Sequence, residues 1–371
     1  MTIMCCTSAR AKSIWLVFCV VLLILTMGGC RSQPVKQAAG TQPSKPSFGI
    51  EFLTKASPEQ LRVMSFNVGW DSIFPDDDPQ NDQFRRDSSG AEFVRILKAI
   101  KPDIVCLQEI NPVRDPQQVG DILEAALPLD DGGTWRTHSG QDNVIAARFD
   151  LAMKTEQLVQ VGSVTNLGHA MALVDLPDSE YQNDLYVICA HFQAQAGEAN
   201  VQARQEHADA IIAWMRDAMT PGGEIDLPVG TPIVLLGDFN VYDTDPAHQL
   251  TTLLSGDIEN EDRYGPDIKP DWDETGLADA LPRHNGAGEE VYTWRDDTLE
   301  FNPGALDRIL YTDSVIRVEN SFVLNTTIMP EEDLAATGLK AGDVVLDPET
   351  GRYDHLPLAV DISFQDLPPG Q

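Results

Sequence analysis

Six short polar motifs, each riding at the tip of an apolar stretch or a turn, constrain this chain more than any other feature. In order they are Met64-Ser65-Phe66-Asn67, Leu107-Gln108-Glu109, Ala190-His191-Phe192, Gly237-Asp238-Phe239-Asn240, Leu306-Asp307-Arg308-Ile309 and Tyr353-Asp354-His355. Each puts Asn, Asp, Glu or His where a buried strand would meet the surface. Folding alone gives no reason for this, because buried polar groups cost free energy unless they are paired. Brought to one place, these groups form a cleft of carboxylates, amides and imidazoles. Such a cleft suits a hard divalent cation and the oxygens of a phosphate.

The runs behind the motifs organise the chain. Leu61–Asn67 reads as the first strand, and Asp103–Gln108 as a fully apolar strand that delivers Glu109. Asn143–Arg148, Asp184–Ala190 and Pro232–Leu236 read as further strands, followed by Leu306–Tyr311, Val315–Leu324 and Leu358–Phe364. Ser89-Gly90-Ala91-Glu92 has the form of a capping box, and Phe93, Ile96, Leu97 and Ile100 follow at helical spacing. A long helix is expected from about Asn200 to Met219, burying Ala208, Ile211, Ile212 and Met215. Strands mixed with a few helices, without a repeat, predict one α/β domain over residues 61–371 with more than one sheet. The stretch from Gly256 to Gly276, dense in Asp and Glu, is expected to be an acidic surface insertion.

Ahead of this domain, Arg10 and Lys12 precede the apolar run Ile14–Leu25, and Thr26-Met27-Gly28-Gly29-Cys30 follows. A basic start, a short apolar run and small residues match an export signal over residues 1–30. The small residues before Cys30 resemble a bacterial lipoprotein cleavage box, which would leave Cys30 lipidated; an uncleaved anchor is the alternative. Residues 31–60, rich in Pro, Ser, Gln and Lys, read as a flexible tether. The chain is thus expected to be exported, monomeric and held at the membrane by its N-terminus.

The formal charge is −32 over 371 residues, and the only charges before Cys30 are two basic ones. A surface this acidic repels polyanions at long range and offers no general attraction to nucleic acid or anionic lipid. It does not exclude a phosphate substrate, because a bound cation inverts the local potential. The acidic loops could also hold Ca²⁺ as a structural ion. Arg85, Arg86, Arg148 and Arg204 are candidates to line a small phosphate site or are ordinary surface charges. Of six cysteines only Cys106 and Cys189 lie beyond the leader, both inside strand-like runs. They read as two buried thiols or as one disulfide. His138, His169, His207, His248 and His284 read as surface or loop residues.

Chemically, Glu109 and Asp354 are the carboxylates best placed to hold a cation, and Asn67 would complete that shell or orient Glu109. Asp238 could hold or deprotonate a water while Asn240 donates to a phosphate oxygen. Asp307 and His355 suggest a carboxylate–imidazole pair, in which the acid fixes the tautomer and favours the imidazolium. His191 could donate to a phosphate as charge builds up on it.

This ordered set resembles the endonuclease/exonuclease/phosphatase superfamily, whose fold is that of deoxyribonuclease I. The family shares S-F-N, Q-E, H, G-D-x-N, an orienting Asp and a final D-H, and the likeness runs from about Leu61 to Phe364. Thr293-Trp294 also resembles a turn common in the family. The resemblance implies a four-layer α/β sandwich of two packed mixed β-sheets. It implies Glu109 as the main ligand of Mg²⁺ or Mn²⁺ with Asn67 and Asp354 near it, Asp238 and Asn240 at the phosphate, Asp307 paired with His355, and His191 as in the branch that uses His there. Two positions depart from the pattern: Tyr353 stands where Ser is frequent, and Ala305 where an Arg is usual. Both touch supporting contacts. The activity implied is metal-dependent hydrolysis of a phosphoester, with an extracellular nuclease, a sphingomyelinase-like or inositol-phosphatase-like enzyme, and a surface binding protein that keeps only the fold as the competing readings. Retention of Glu109, Asp238 and His355 speaks against the last.

Overall fold

Thirteen strands build two mixed sheets among the described residues of the computed structural model. Those residues are 49–84, 87–130, 132–161, 164–242, 248–296, 301–345 and 354–367, with backbone alone for 160, 161 and 164–167. The leader, most of the tether, Arg85, Arg86 and Tyr353 lie outside them. In chain order the strands are β1 (Leu61–Asn67), β2 (Ile104–Gln108), β3 (Arg136–Gly140), β4 (Asn143–Ala147), β5 (Asp150–Val161), β6 (Val164–Asp175) and β7 (Leu185–His191). They continue with β8 (Ile233–Asp238), β9 (Ala278–Asp279), β10 (Arg283–His284), β11 (Asp307–Tyr311), β12 (Ile316–Val323) and β13 (Leu358–Phe364). The helices are α1 (Gly90–Ile100), α2 (Gln117–Ala126), α3 (Glu198–Met219), α4 (His248–Ser255), α5 (Glu261–Tyr264) and α6 (Glu331–Thr337).

One sheet has the order β10-β12-β13-β1-β2-β4-β3, the other β5-β6-β7-β8-β11-β9. Their facing sides share one core, to which Val63 and Cys106 contribute from the first sheet and Val187, Cys189, Val234, Leu236 and Ile309 from the second. The outer face of the first sheet is covered by Phe93, Ile96 and Leu97 of α1 and Val119 and Leu123 of α2. The outer face of the second is covered by Ala208, Ile211, Ile212 and Met215 of α3, which meet Tyr186, Ile188, Ile233 and Leu235. Both faces of the central strands are thus dry, which explains why β2, β4 and β8 are buried at every residue. The four-layer α/β sandwich is the arrangement expected.

Strand parity then places the polar tips. Along β7, Val187 and Cys189 face the other sheet while Tyr186 and Ile188 face α3, so His191 continues the inter-sheet stripe. The same alternation sends Asp238 of β8 and Asp307 of β11 to that side. The strands end at one rim because β1 runs parallel to β2 and β7 parallel to β8, while β11 and β13 start where their antiparallel neighbours β8 and β1 finish.

Three readings need correction. Ser89 does precede α1, but its side chain makes no capping bond; its hydroxyl is 2.6 Å from that of Ser72. The last part of the expected tether is folded: Glu51–Leu53 form a 3-10 turn, Phe52 packs edge-on against Phe322, and Leu53 O accepts from Arg62 Nη1. The acidic stretch 256–276 lies at the surface as expected and is docked there, since Asp209 of α3 accepts from the backbone N–H groups of Glu259 and Asn260 and the buried Asp271 accepts from Ser314 N. His169, His207 and His284 are interior, not surface. His207 Nδ1 lies 3.1 Å from His169 Nε2, and Phe192 stacks on the His207 ring.

Cys106 and Cys189 are free buried thiols on facing sheets. Burial and the hydrogen bond to Cys189 push the Cys106 thiol well up. Cys189 Sγ accepts from Gln108 Nε2 at 3.2 Å. No helix of the described residues is long and apolar enough to cross a membrane.

Candidate active site

Three neighbouring strands set a row of ionisable groups side by side. His191 is in register with Asp238, and Asp238 with Asp307. The register depends on Gly237. Its φ is +141°, and a Cβ there would lie 1.9 Å from Ala190 O, so no other residue fits between β7 and β8. Asp238 ends β8 fully buried, its Oδ1 accepting from Asn240 N at 2.9 Å. Its Oδ2 lies 3.4 Å from His355 Nε2 and 3.6 Å from His191 Nε2.

Across the rim, the first sheet contributes Asn67 and Glu109. Asn67 Nδ2 reaches Glu109 Oε1 at 3.0 Å and Asp238 Oδ2 at 3.1 Å. Both partners are pure acceptors, so the amide must present its NH₂ to them, and its Oδ1 accepts from Gly69 N. Asn67 therefore orients Glu109 and ties the two sheets together, rather than offering its oxygen to a cation. Glu109 Oε2 accepts from Trp70 N at 2.9 Å. Asp354 lines the same pocket as Asn67 and His355.

His355 Nδ1 donates to Asp307 Oδ2 at 2.8 Å, the expected pair. Burial disfavours its charge, but the Asp307 and Asp238 carboxylates outweigh that and raise its pKa well above the ordinary value. Asp307 is held in turn by Thr293, whose hydroxyl accepts from Asp307 N, while Leu356 N donates to Thr293 O and Arg295 N to Asp354 O. The Thr293-Trp294 turn thus fixes both halves of the Asp-His motif.

Asp142 was not foreseen. Its Oδ2 accepts from His191 Nδ1 at 2.7 Å. Against the cost of burial, Asp142, Asp238 and Glu109 together lift His191 to about 10. Asp142 sits in a polar turn between β3 and β4, where an acid gives no sequence signal. Its partner is 49 residues away and on the other sheet.

Burial lifts Glu109 to about 7, with Asp354 adding to the rise and His191 opposing it. A buried carboxylate beside a second one is a fitting place for a hard cation. Among the described residues, Asp238, Asp307 and His355 also bring donor atoms within 4.8 Å of one another. In that group His355 Nδ1 and Asp307 Oδ2 are already committed to each other.

Asn240 is brought to the rim with φ +50°. Its Nδ2 donates to Phe192 O at 3.1 Å, which anchors the turn after β8. Of the arginines proposed to line the site, Arg85 and Arg86 lie outside the described residues, and Arg148 and Arg204 are engaged elsewhere. Arg148 bonds Asp103 at the opposite end of β2, and the buried Arg204 donates to the carbonyls of Gln193 and Gln195. The carboxylates of the 71–82 loop serve the loop itself: Asp71 accepts from Arg114 Nε, Asn111 N and Asp82 N, and Asp78 from Arg114 Nη1.

A two-sheet α/β sandwich with carboxylates and paired imidazoles at one rim defines a class of phosphoester-processing proteins. The chain belongs to the Endonuclease/Exonuclease/phosphatase family, whose model matches residues 64–328. Members are typically hydrolases of phosphoesters and commonly use divalent metals, so membership implies a metal-dependent phosphoesterase or nuclease activity. In structure the chain is similar to an endonuclease/exonuclease/phosphatase from Bacteroides vulgatus, with 18% identity, a TM-score of 0.51, and coverage of 82% of this chain and 99% of that one. It is also similar to a family protein from Bacteroides thetaiotaomicron, with 17% identity, a TM-score of 0.50, and coverage of 83% and 98%. No curated protein matches the sequence.

Proposed function

We propose that the chain is a divalent-metal-dependent phosphoesterase that hydrolyses a phosphodiester or phosphomonoester by in-line attack of water, acting at the cell envelope as a lipid-anchored monomer. The supporting observation is the register of His191, Asp238 and Asp307 opposite the Asn67–Glu109 pair. Glu109 and Asp354 would hold Mg²⁺ or Mn²⁺. This pair suits a cation better than Asp238, Asp307 and His355, because His355 Nδ1 and Asp307 Oδ2 are already bonded to each other. When bound, the ion supplies charge to offset that on the phosphoryl and leaving oxygens.

The chain's own groups would do the rest. His191 and His355, both held in the cationic form by carboxylates, donate toward the phosphoryl oxygens. Asp238, whose Oδ2 lies between the two rings, would be the base. Asp142 and Asp307 keep the rings oriented and charged.

A panel of plasmid DNA, RNA, sphingomyelin, inositol phosphates and an aryl phosphodiester, each with Mg²⁺, Mn²⁺ or Ca²⁺, tests the reading. Glu109→Gln and His355→Ala should each cut turnover by about 10²–10⁴-fold; near-normal turnover in either would refute it. Labelled palmitate should enter the wild-type protein and not Cys30→Ala, and equal labelling would remove the anchor.

A further inference from the structure

Among the described residues every exposed aromatic side chain borders this rim. They are Trp70 (42% exposed), Phe84 (61%) and Phe301 (55%). Within the segment just after β1, Val68, Ile73 and Phe74 are buried while Trp70 is turned outward. Consecutive left-handed residues do this, Trp70 at φ +47° and Asp71 at φ +63°. The buried Asp71 carboxylate, clamped by Arg114 and by Asn111 N, locks that conformation. Trp70 N donates to Glu109 Oε2, so its ring is carried one residue from the cation-holding carboxylate. Phe84 meets the indole at 5.3 Å between centroids. On the second sheet's side, Tyr242, two residues after Asn240, contacts Phe301 and Trp294, each at 6.3 Å, and Trp294 is bridged to His355. Rings therefore stand beside both halves of the site, at a backbone strain the core does not require.

Resting on the phosphoesterase reading, we infer that Trp70 and Phe84 form a stacking platform for a base of short single-stranded nucleic acid whose scissile phosphate lies at Glu109. Base–aromatic stacking is tolerant of sequence and needs only a flat partner. The charge sets the length: at −32, with Asp76, Asp77, Asp78 and Asp82 in the loop that carries the platform, the described residues offer no cationic track for successive phosphates. Duplexes and long strands are excluded, and a unit of a few nucleotides is accepted. The same acids argue against a bilayer, since an interfacial face needs a contiguous apolar patch.

The test compares wild type, Trp70→Phe and Trp70→Leu on a thymidine trinucleotide and on glycerophosphocholine, a phosphodiester without a ring. Trp70→Leu keeps the apolar volume and loses the ring. It should raise KM for the trinucleotide by about ten- to a hundredfold, the worth of one stacked base, with a far smaller change in glycerophosphocholine hydrolysis and with Trp70→Phe close to wild type. Equal behaviour of the three proteins on the trinucleotide overturns the inference. Binding of the trinucleotide without metal, followed by titration calorimetry, decides the point independently of turnover: it should be at least tenfold weaker for Trp70→Leu than for Trp70→Phe, and equal affinity overturns the platform even if the chain hydrolyses phosphoesters. Preferential loss of phosphocholine-vesicle binding in Trp70→Leu, with trinucleotide binding intact, would also overturn it. Unchanged turnover in Glu109→Gln would instead refute the phosphoesterase reading.

Discussion

His355 and Asp307 meet at 2.8 Å although 48 residues separate them, and Thr293 holds the backbone of Asp307 so that the carboxylate cannot turn away. Asp307→Asn keeps the shape and removes the charge that holds the imidazole in its cationic form. Turnover on any phosphoester accepted by the wild type should fall by about 10²–10⁴-fold with the melting temperature nearly unchanged, measured by initial rates and calorimetry. A loss of stability matching the loss of rate would make the pair structural.

Gly237→Ala places a methyl group against Ala190 O, where only backbone stands. Relief requires β7 and β8 to part, which destroys the row of His191, Asp238 and Asp307. We expect a large loss of folded, soluble protein, read as a steep fall in the denaturation midpoint. A stable Gly237→Ala protein would show that the register is looser than described.

At the far end of β1, Arg62 is bidentate to Asp361, with Nε to Oδ1 at 2.5 Å and Nη2 to Oδ2 at 2.7 Å, both residues fully buried. Removing one partner leaves an unpaired interior charge. Asp361→Asn should cost about 3–5 kcal/mol in chemical denaturation, while kcat measured well below the melting temperature stays at the wild-type level.

The pH dependence of stability carries a signature of His169 and His207. Burial lowers His169 to about 3 and holds His207 well below its usual value. The unfolded chain binds protons at these groups below about pH 6.5, whereas the folded one does not until far lower. Stability is therefore full above pH 6.5 and declines as pH falls from there toward 3. The double variant His169→Gln/His207→Gln should flatten this part of the curve of melting temperature against pH. His191, raised to about 10, acts in the opposite sense and is present in both proteins, so the comparison isolates the interior pair.

What could be read from the chain followed from burial. Strands dry on both faces write themselves as apolar runs, so β1, β2, β7, β8 and β13 and the groups at their tips were legible. Polar or very short strands were not: β3 reads Arg-Thr-His-Ser-Gly, and β5–β6 is a long hairpin with an exposed Leu158. Asp142 was invisible because a turn acid is ordinary until the second sheet lays His191 against it. His169 and His207 do not read as interior because what buries each lies on another element: Phe192 packs on both rings, and the two rings, from β6 and α3, meet only in the fold.

Metal binding gives the last prediction on stability. Mn²⁺ at about a hundred times its dissociation constant should stabilise the folded chain by about 2.7 kcal/mol, chelator should reverse this, and Glu109→Gln should abolish it.

The most direct measurement is the anomalous difference map of a crystal soaked in Mn²⁺. The account predicts one strong peak within bonding distance of the carboxylates of Glu109 and Asp354, beside the Asp307–His355 pair. A map with no peak there, or with these side chains facing different parts of the surface, would contradict it.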